Sequence, residues 1–225
     1  YKIIDQSTWE RATHCAVFRN CVEPAFCVTF DLDVTAFYRK IKREKLSFTF
    51  AMIYTVTKCA NKIENFRYRF LDGQAVLFDK IDTAFTYLNK ETELFKVVNV
   101  PFEGDMPEYC KTAKRIAEEQ NEYFTGPLGN DVFQFSPMPW VAYTHISHTN
   151  SGKRITLRRF SIGASSTNVT VSCGCRFPCR RTTPLSTDCI SANLPNYCSR
   201  NSTYNHGCKN GGTYGRVCHC KILRR

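Results

Sequence analysis

At Lys153 the chain changes character, and that break limits what it can fold into more than any average over its 225 residues. Up to Gly152 stand 18 of the 31 Lys and Arg and 19 of the 20 Asp and Glu; beyond it come 13 basic residues and one acid, Asp188. Five of the 13 cysteines (Cys15, Cys21, Cys27, Cys59, Cys110) precede the break and eight follow it. The net charge of +11 therefore belongs to the last third, and the front segment is close to neutral. Two divisions are expected: residues 1–152, long enough for one sizeable domain, and a basic, Cys-rich tail over 153–225.

Within the front segment the pattern is that of an α/β protein. Phe26 to Asp33 alternates apolar and polar side chains, as a half-buried strand does. Asp33 and Thr35 offer caps for a helix over about Ala36 to Glu44, which carries Phe37 and Ile41 on one face. A second helix, about Thr49 to Ile63, is apolar nearly all round, which suits a helix packed against a sheet. Phe66 to Leu71 and Gln74 to Phe78 read as a hairpin turned at Asp72-Gly73, a dipeptide that supplies positive φ. Further strands are expected at Thr83 to Leu88, Leu94 to Val100, Val132 to Phe135 and Trp140 to Ile146, with an amphipathic helix at about Pro107 to Tyr123. Helices and strands mixed without βαβ repeats predict a two-layer α/β sandwich, a mixed β-sheet with helices packed on it. No run of 18 apolar residues is present, so no membrane-spanning helix is expected. Tyr1 in place of Met leads us to expect a start further upstream.

Five segments of this stretch, in order, resemble chloramphenicol acetyltransferases of the trimeric type. STWERATH (Ser7 to His14) is similar to the family's opening, with its Trp, Arg and His. LDVTAF (Leu32 to Phe37) resembles its strand-to-helix turn, and NFRYRFLDG (Asn65 to Gly73) its arginine-containing hairpin. KETELF (Lys90 to Phe95) looks like a later strand entry, and SPMPWVAYT (Ser136 to Thr144) like the strand that approaches the active centre. The resemblance covers residues 1–152 and nothing beyond.

It implies a cytoplasmic homotrimer with active sites between subunits, which takes acetyl-CoA as acyl donor and acetylates a primary hydroxyl of the antibiotic. Coenzyme A and a small-molecule antibiotic are then the partners, with neither nucleic acid nor membrane. The general base is a histidine within His-His-x-x-x-Asp-Gly, because a hydroxyl is a weak nucleophile until its proton is accepted. Arg11 matches the arginine that pairs with the motif's aspartate. Phe26 and Phe95 match strand positions that line the antibiotic pocket, where a core role is the plainer reading. His145 stands where the family has a serine that helps hold the oxyanion; the plain reading is a substituted or strand-end histidine, with His148 three residues on. Arg67 and Arg69 are read as structural, and Cys27 and Cys59 as buried, inert thiols.

The catalytic motif is absent. None of the five histidines (His14, His145, His148, His206, His219) is followed four residues later by Asp. Read one base out of register, however, the codons for Cys179 to Ala192 can yield Gln-Ala-His-His-Ala-Val-Val-Asp-Gly-Leu-His-Ile-Gly. The general base would then decode at Thr183 and its aspartate at Thr187, and Lys153 to Ser165 decodes to a family-like segment as well. The lysine codon at Lys153 is the expected place of the slip. The chain as written is therefore expected to be inactive, and residues 1–152 to expose an unpaired strand edge, since the missing strand lies inside the family's sheet.

Two rival readings stay open. One is a non-catalytic remnant that keeps the ligand pocket. The other takes the tail literally as a metal- or disulfide-binding module, on Cys173-Gly174-Cys175 and Cys218-His219-Cys220. Zinc needs two well-spaced ligand pairs, which this spacing does not supply, so no metal is assigned. Asn168-Val169-Thr170 and Asn201-Ser202-Thr203 match the glycosylation pattern without a secretory context.

Overall fold

A nine-residue strand and a helix buried over most of its surface set the frame. The computed structural model describes residues 1–19, 25–89, 91–125, 129–146, 158–164 and 168–176. The elements run β1 (Lys2–Ile3), α1 (Ala12–Arg19), β2 (Ala25–Asp33), α2 (Thr35–Arg43), α3 (Phe48–Lys62), α4 (Glu64–Arg67), β3 (Tyr68–Leu71) and β4 (Gln74–Leu77). There follow β5 (Asp82–Leu88), β6 (Phe95–Val100), α5 (Met106–Glu119), β7 (Val132–Met138), β8 (Arg158–Ala164) and β9 (Asn168–Arg176). Six strands form one mixed sheet in the order β2-β9-β8-β7-β5-β6, and β1-β4-β3 form a small second one. β7 runs parallel to both β5 and β8, and the other neighbours are antiparallel. The expected two-layer α/β sandwich is what the chain adopts.

Side-chain parity divides the large sheet. One register row crosses it as Val28, Cys173, Phe160, Phe135, Phe85 and Val98. Phe160, Phe135, Phe85 and Val98 are buried beneath the helices, with Phe135 and Phe160 stacked at 5.2 Å between ring centroids. Each such ring contributes about 1.5–3 kcal/mol by leaving water. The neighbouring row, Cys27, Gly174, Arg159, Gln134, Ala84 and Asn99, belongs to the opposite face. There Arg159 donates from Nε to Gln134 Oε1 at 2.8 Å across the β7–β8 pair. α3 accounts for its apolar circumference by lying between the sheet and the other helices: it touches α2, α5, β5 and β7.

Several expectations are corrected in detail. Phe66 and Arg67 close a helical turn rather than open the hairpin strand; Arg67 is held there by donating to Phe78 O at 2.5 Å. Val34, with no capping side chain, precedes α2, while the Asp33 carboxylate accepts the Thr35 N–H at 2.8 Å. α5 stops at Glu119, short of Tyr123. Gln120 explains this: its side chain donates to Val97 O and Glu122 O, both at 2.8 Å, and turns residues 121–124 along β6. Trp140 to Ile146 is not a strand. β7 runs on through Ser136, Pro137 and Met138 instead, and a turn follows at Pro139 and Trp140.

The expected unpaired edge is not found. β8 and β9, both beyond Gly152, fill the two positions between β7 and β2 and bury Phe160, Ile162 and Val171. RFSIGA carries the period-two alternation that a strand needs. Thr183, Thr187, His148, His206, His219 and Cys179 to Cys220 lie outside the described residues.

Candidate functional site

Parity also builds the site. If Phe30 and Leu32 face the core, then Cys27, Thr29 and Asp31 must face away from it. Leu32 is buried, and Cys27 and Asp31 are exposed. This corrects the reading of Cys27 as a buried thiol. Cys59, on α3, is buried as expected.

The irregular segment after β7 folds back over this face. Tyr143 lies flat against Gly163 of β8: a side-chain methyl added at that glycine would sit 2.4 Å from Tyr143 Cε1, so only glycine allows the approach. Burial first, then the neighbouring Cys27, pushes the Tyr143 hydroxyl up to about 12. Two residues on, His145 Nδ1 stands 3.5 Å from Thr29 Oγ1, and the Cys27 thiol donates to Ile146 O at 3.8 Å. A thiol, a hydroxyl and an imidazole thus share one exposed corner at the β2 edge. Such groups can donate a hydrogen bond to a developing negative charge or, for the thiol, attack an electrophile.

The remaining predicted positions are distributed elsewhere. Arg11 begins the turn leading into α1 and lays its guanidinium over the Tyr68 ring, 5.5 Å from the centroid, with Trp9 against the same ring at 5.2 Å. Tyr68 in turn donates to Glu64 Oε1. Phe95 opens β6, about half exposed, packed on Tyr123 at 5.5 Å. Phe26 pairs with Cys175 on β2. Since β2 and β6 are the two outermost strands, five strand spacings separate them, about 24 Å. Within one chain the strands that carry Phe26 and Phe95 are the two opposite edges of the sheet. Among the described residues no three His, Cys, Asp or Glu are grouped to hold a metal ion, and no helix is long and apolar enough to cross a membrane. Cys173-Gly174-Cys175 falls within β9.

The family model described as chloramphenicol acetyltransferase matches residues 1–155. The chain belongs to that family. "Chloramphenicol acetyltransferase 2" of Escherichia coli is 30% identical over 144 residues, covering 62% of this chain and 68% of that protein. The chloramphenicol acetyltransferase 2 of Haemophilus influenzae matches to the same extent. A solved chloramphenicol acetyltransferase superposes with a TM-score of 0.74 at 21% identity, over 86% of this chain and 99% of that one. A probable dihydrolipoamide acetyltransferase from Listeria monocytogenes shares the fold, with a TM-score of 0.58 at 11% identity over 85% and 92%. For a chloramphenicol acetyltransferase family member, the sequence reading missed Thr29, Tyr143 and the exposure of Cys27. The alternation Cys27-Val28-Thr29-Phe30 carried the signal for two of them; Tyr143 needed the fold of the segment.

Proposed function

We propose that this protein's activity is acetyl-CoA-dependent O-acetylation of chloramphenicol or a similarly hydroxylated xenobiotic, and that residues 153–225 are an out-of-register reading of the part that carries the general base. Family membership over residues 1–155 is the observation that carries the first half. The second half rests on the decoded His-His-Ala-Val-Val-Asp-Gly, with the base at Thr183 and the aspartate that would pair with Arg11 at Thr187.

The enzyme acts as a cytoplasmic homotrimer in this reading. The position of Phe26 and Phe95 on strands at opposite edges of the sheet supports it: a second copy is needed to bring those two edges to a single antibiotic. Acetyl-CoA is a substrate, bringing the thioester carbonyl to the base-activated hydroxyl. His145 does the work of the family's serine, donating from its imidazole to the oxyanion while Thr29 fixes the ring.

The test is the gene itself. One base restored next to the Lys153 codon, followed by purification, should give a chain that releases coenzyme A in the presence of chloramphenicol and sediments as a trimer. The chain as written should turn over at least ~10²-fold more slowly, the loss expected when a general base is removed. A restored chain that binds chloramphenicol without turnover would favour the ligand-binding remnant instead. Steady turnover by the chain as written would defeat the register proposal.

A further inference from the structure

We propose that Cys27 is a self-acetylation site, its thiol taking the acetyl group of acetyl-CoA by thioester exchange with the His145 imidazole as base. The inference rests on the reading that acetyl-CoA is the acyl donor. It goes beyond that reading, because the acceptor is the protein and the product is a modified chain.

Three observations carry it. Cys27 is exposed at the sheet's edge, whereas Cys15, Cys59 and Cys110 are buried. Its hydrogen-bond acceptor, Ile146 O, belongs to the residue next to His145, at 3.8 Å. The imidazole is itself held by a third group, Thr29 Oγ1, 3.5 Å from Nδ1 and on the same face of β2 as the thiol. Nucleophile, base and orienting group are the three parts an activated thiol requires, and the reactive form is the thiolate. Cys27 and Thr29 are two residues apart on one strand, so roughly 7 Å separates their Cα atoms, a span that an imidazole anchored at Thr29 can bridge.

The step balances without a further reagent. The Cys27 proton passes to the imidazole, and the thiolate adds to the acetyl carbonyl. The tetrahedral oxyanion collapses, the bond to the coenzyme's sulfur breaks, and the coenzyme A thiolate takes the proton back from the imidazolium. One thioester is exchanged for another. The products are S-acetyl-Cys27 and coenzyme A, one per chain, after which the reaction stops.

Acetyl-labelled acetyl-CoA, incubated with the full chain and with its register-restored counterpart, reads this out by peptide mapping. Label is expected on the Cys27 peptide, without chloramphenicol, and to the extent of one acetyl per chain. Cys27→Ser should abolish it. His145→Gln should slow it on the order of 10²-fold, with partial rescue by added imidazole. Circular dichroism of each variant guards against misfolding, and either folded chain suffices, since both share residues 1–152. No label on Cys27 in a folded chain, or an unchanged rate in His145→Gln, overturns the inference. Chloramphenicol turnover with Cys27 unlabelled overturns it while the enzymatic reading survives. Labelled Cys27 in a register-restored chain that does not turn over chloramphenicol does the reverse.

Discussion

Arg69 is fully buried on a strand, and its charge is tolerated because carbonyls surround it. Nε donates to Asn130 O at 2.7 Å, and Nη1 donates to Phe66 O at 2.6 Å and Tyr68 O at 2.8 Å, while the Phe133 ring faces the guanidinium at 5.5 Å. Arg69→Met keeps the bulk and strands those acceptors, so about 3 kcal/mol or more should be lost, at roughly 1–3 per abandoned group. Arg67→Ala, at a less enclosed site, should cost about 1 kcal/mol; urea midpoints compare the two. The structural role was expected from the family resemblance, and the strand placement holds for Arg69 alone, since Arg67 closes the turn before it. The partners were not legible in the sequence, since Asn130 is distant in the chain. Cys110 makes a second prediction. Burial pushes its thiol from 9.0 up to about 12, so the folded chain holds the proton more tightly than the unfolded one. The associated stability is complete below about pH 9 and is lost as pH climbs toward 12. Denaturant midpoints should fall across that window, and Cys110→Ala should flatten the decline.

Among the elements, α5 has the most complete local code. The Asp105 carboxylate accepts the Glu108 N–H, the Glu108 side chain accepts the Asp105 N–H, both at 3.0 Å, and Pro107 sits in the first turn. Asp105→Ala should cost about 1 kcal/mol, readable as a lowered thermal midpoint, and Asp105→Asn much less. α2, α3, the hairpin turn at Asp72 and Gly73 (φ 46° and 83°) and the strands β2, β5 and β6 were legible because each carries its own period or turn residue. α1 was not: Val17 and Phe18 are exposed on it, so no apolar stripe marks it. Trp140 to Ile146 was misread as a strand because the segment folds back outside the ladder, with Tyr143 against Gly163 while Trp140 and Val141 stay exposed. At the site, parity along β2 was available in the sequence. The meeting of Thr29 with His145 was not, since 116 residues separate them.

For the whole molecule, the sheet order decides what the front segment can do alone. β2 lies at one edge and its neighbour there is β9, with nine residue pairs from Ala25↔Arg176 to Asp33↔Asn168. β8, in turn, stands between β9 and β7. A chain ending at Gly152 therefore loses both strands at once. β2 is left without its ladder, β7 becomes an open edge, and Phe135 loses the ring of Phe160 that covers it. An edge of that length beside exposed apolar surface is a template for other chains. Burial of Phe160, Ile162 and Val171 is forfeited as well, at about 1.5–3 kcal/mol each, which approaches the whole stability of an ordinary domain. Residues 1–152 should accordingly aggregate, eluting in the void volume on size exclusion, whereas residues 1–176 should elute as discrete species and unfold cooperatively. Hydrogen exchange separates the causes: in the longer chain the amides of β2 and β7 should be protected together, because β8 and β9 tie them into one unit. If residues 1–152 were soluble and cooperative with β2 protected, the sheet would have another way to close that edge, and the dependence on β8 and β9 argued from the register would fail.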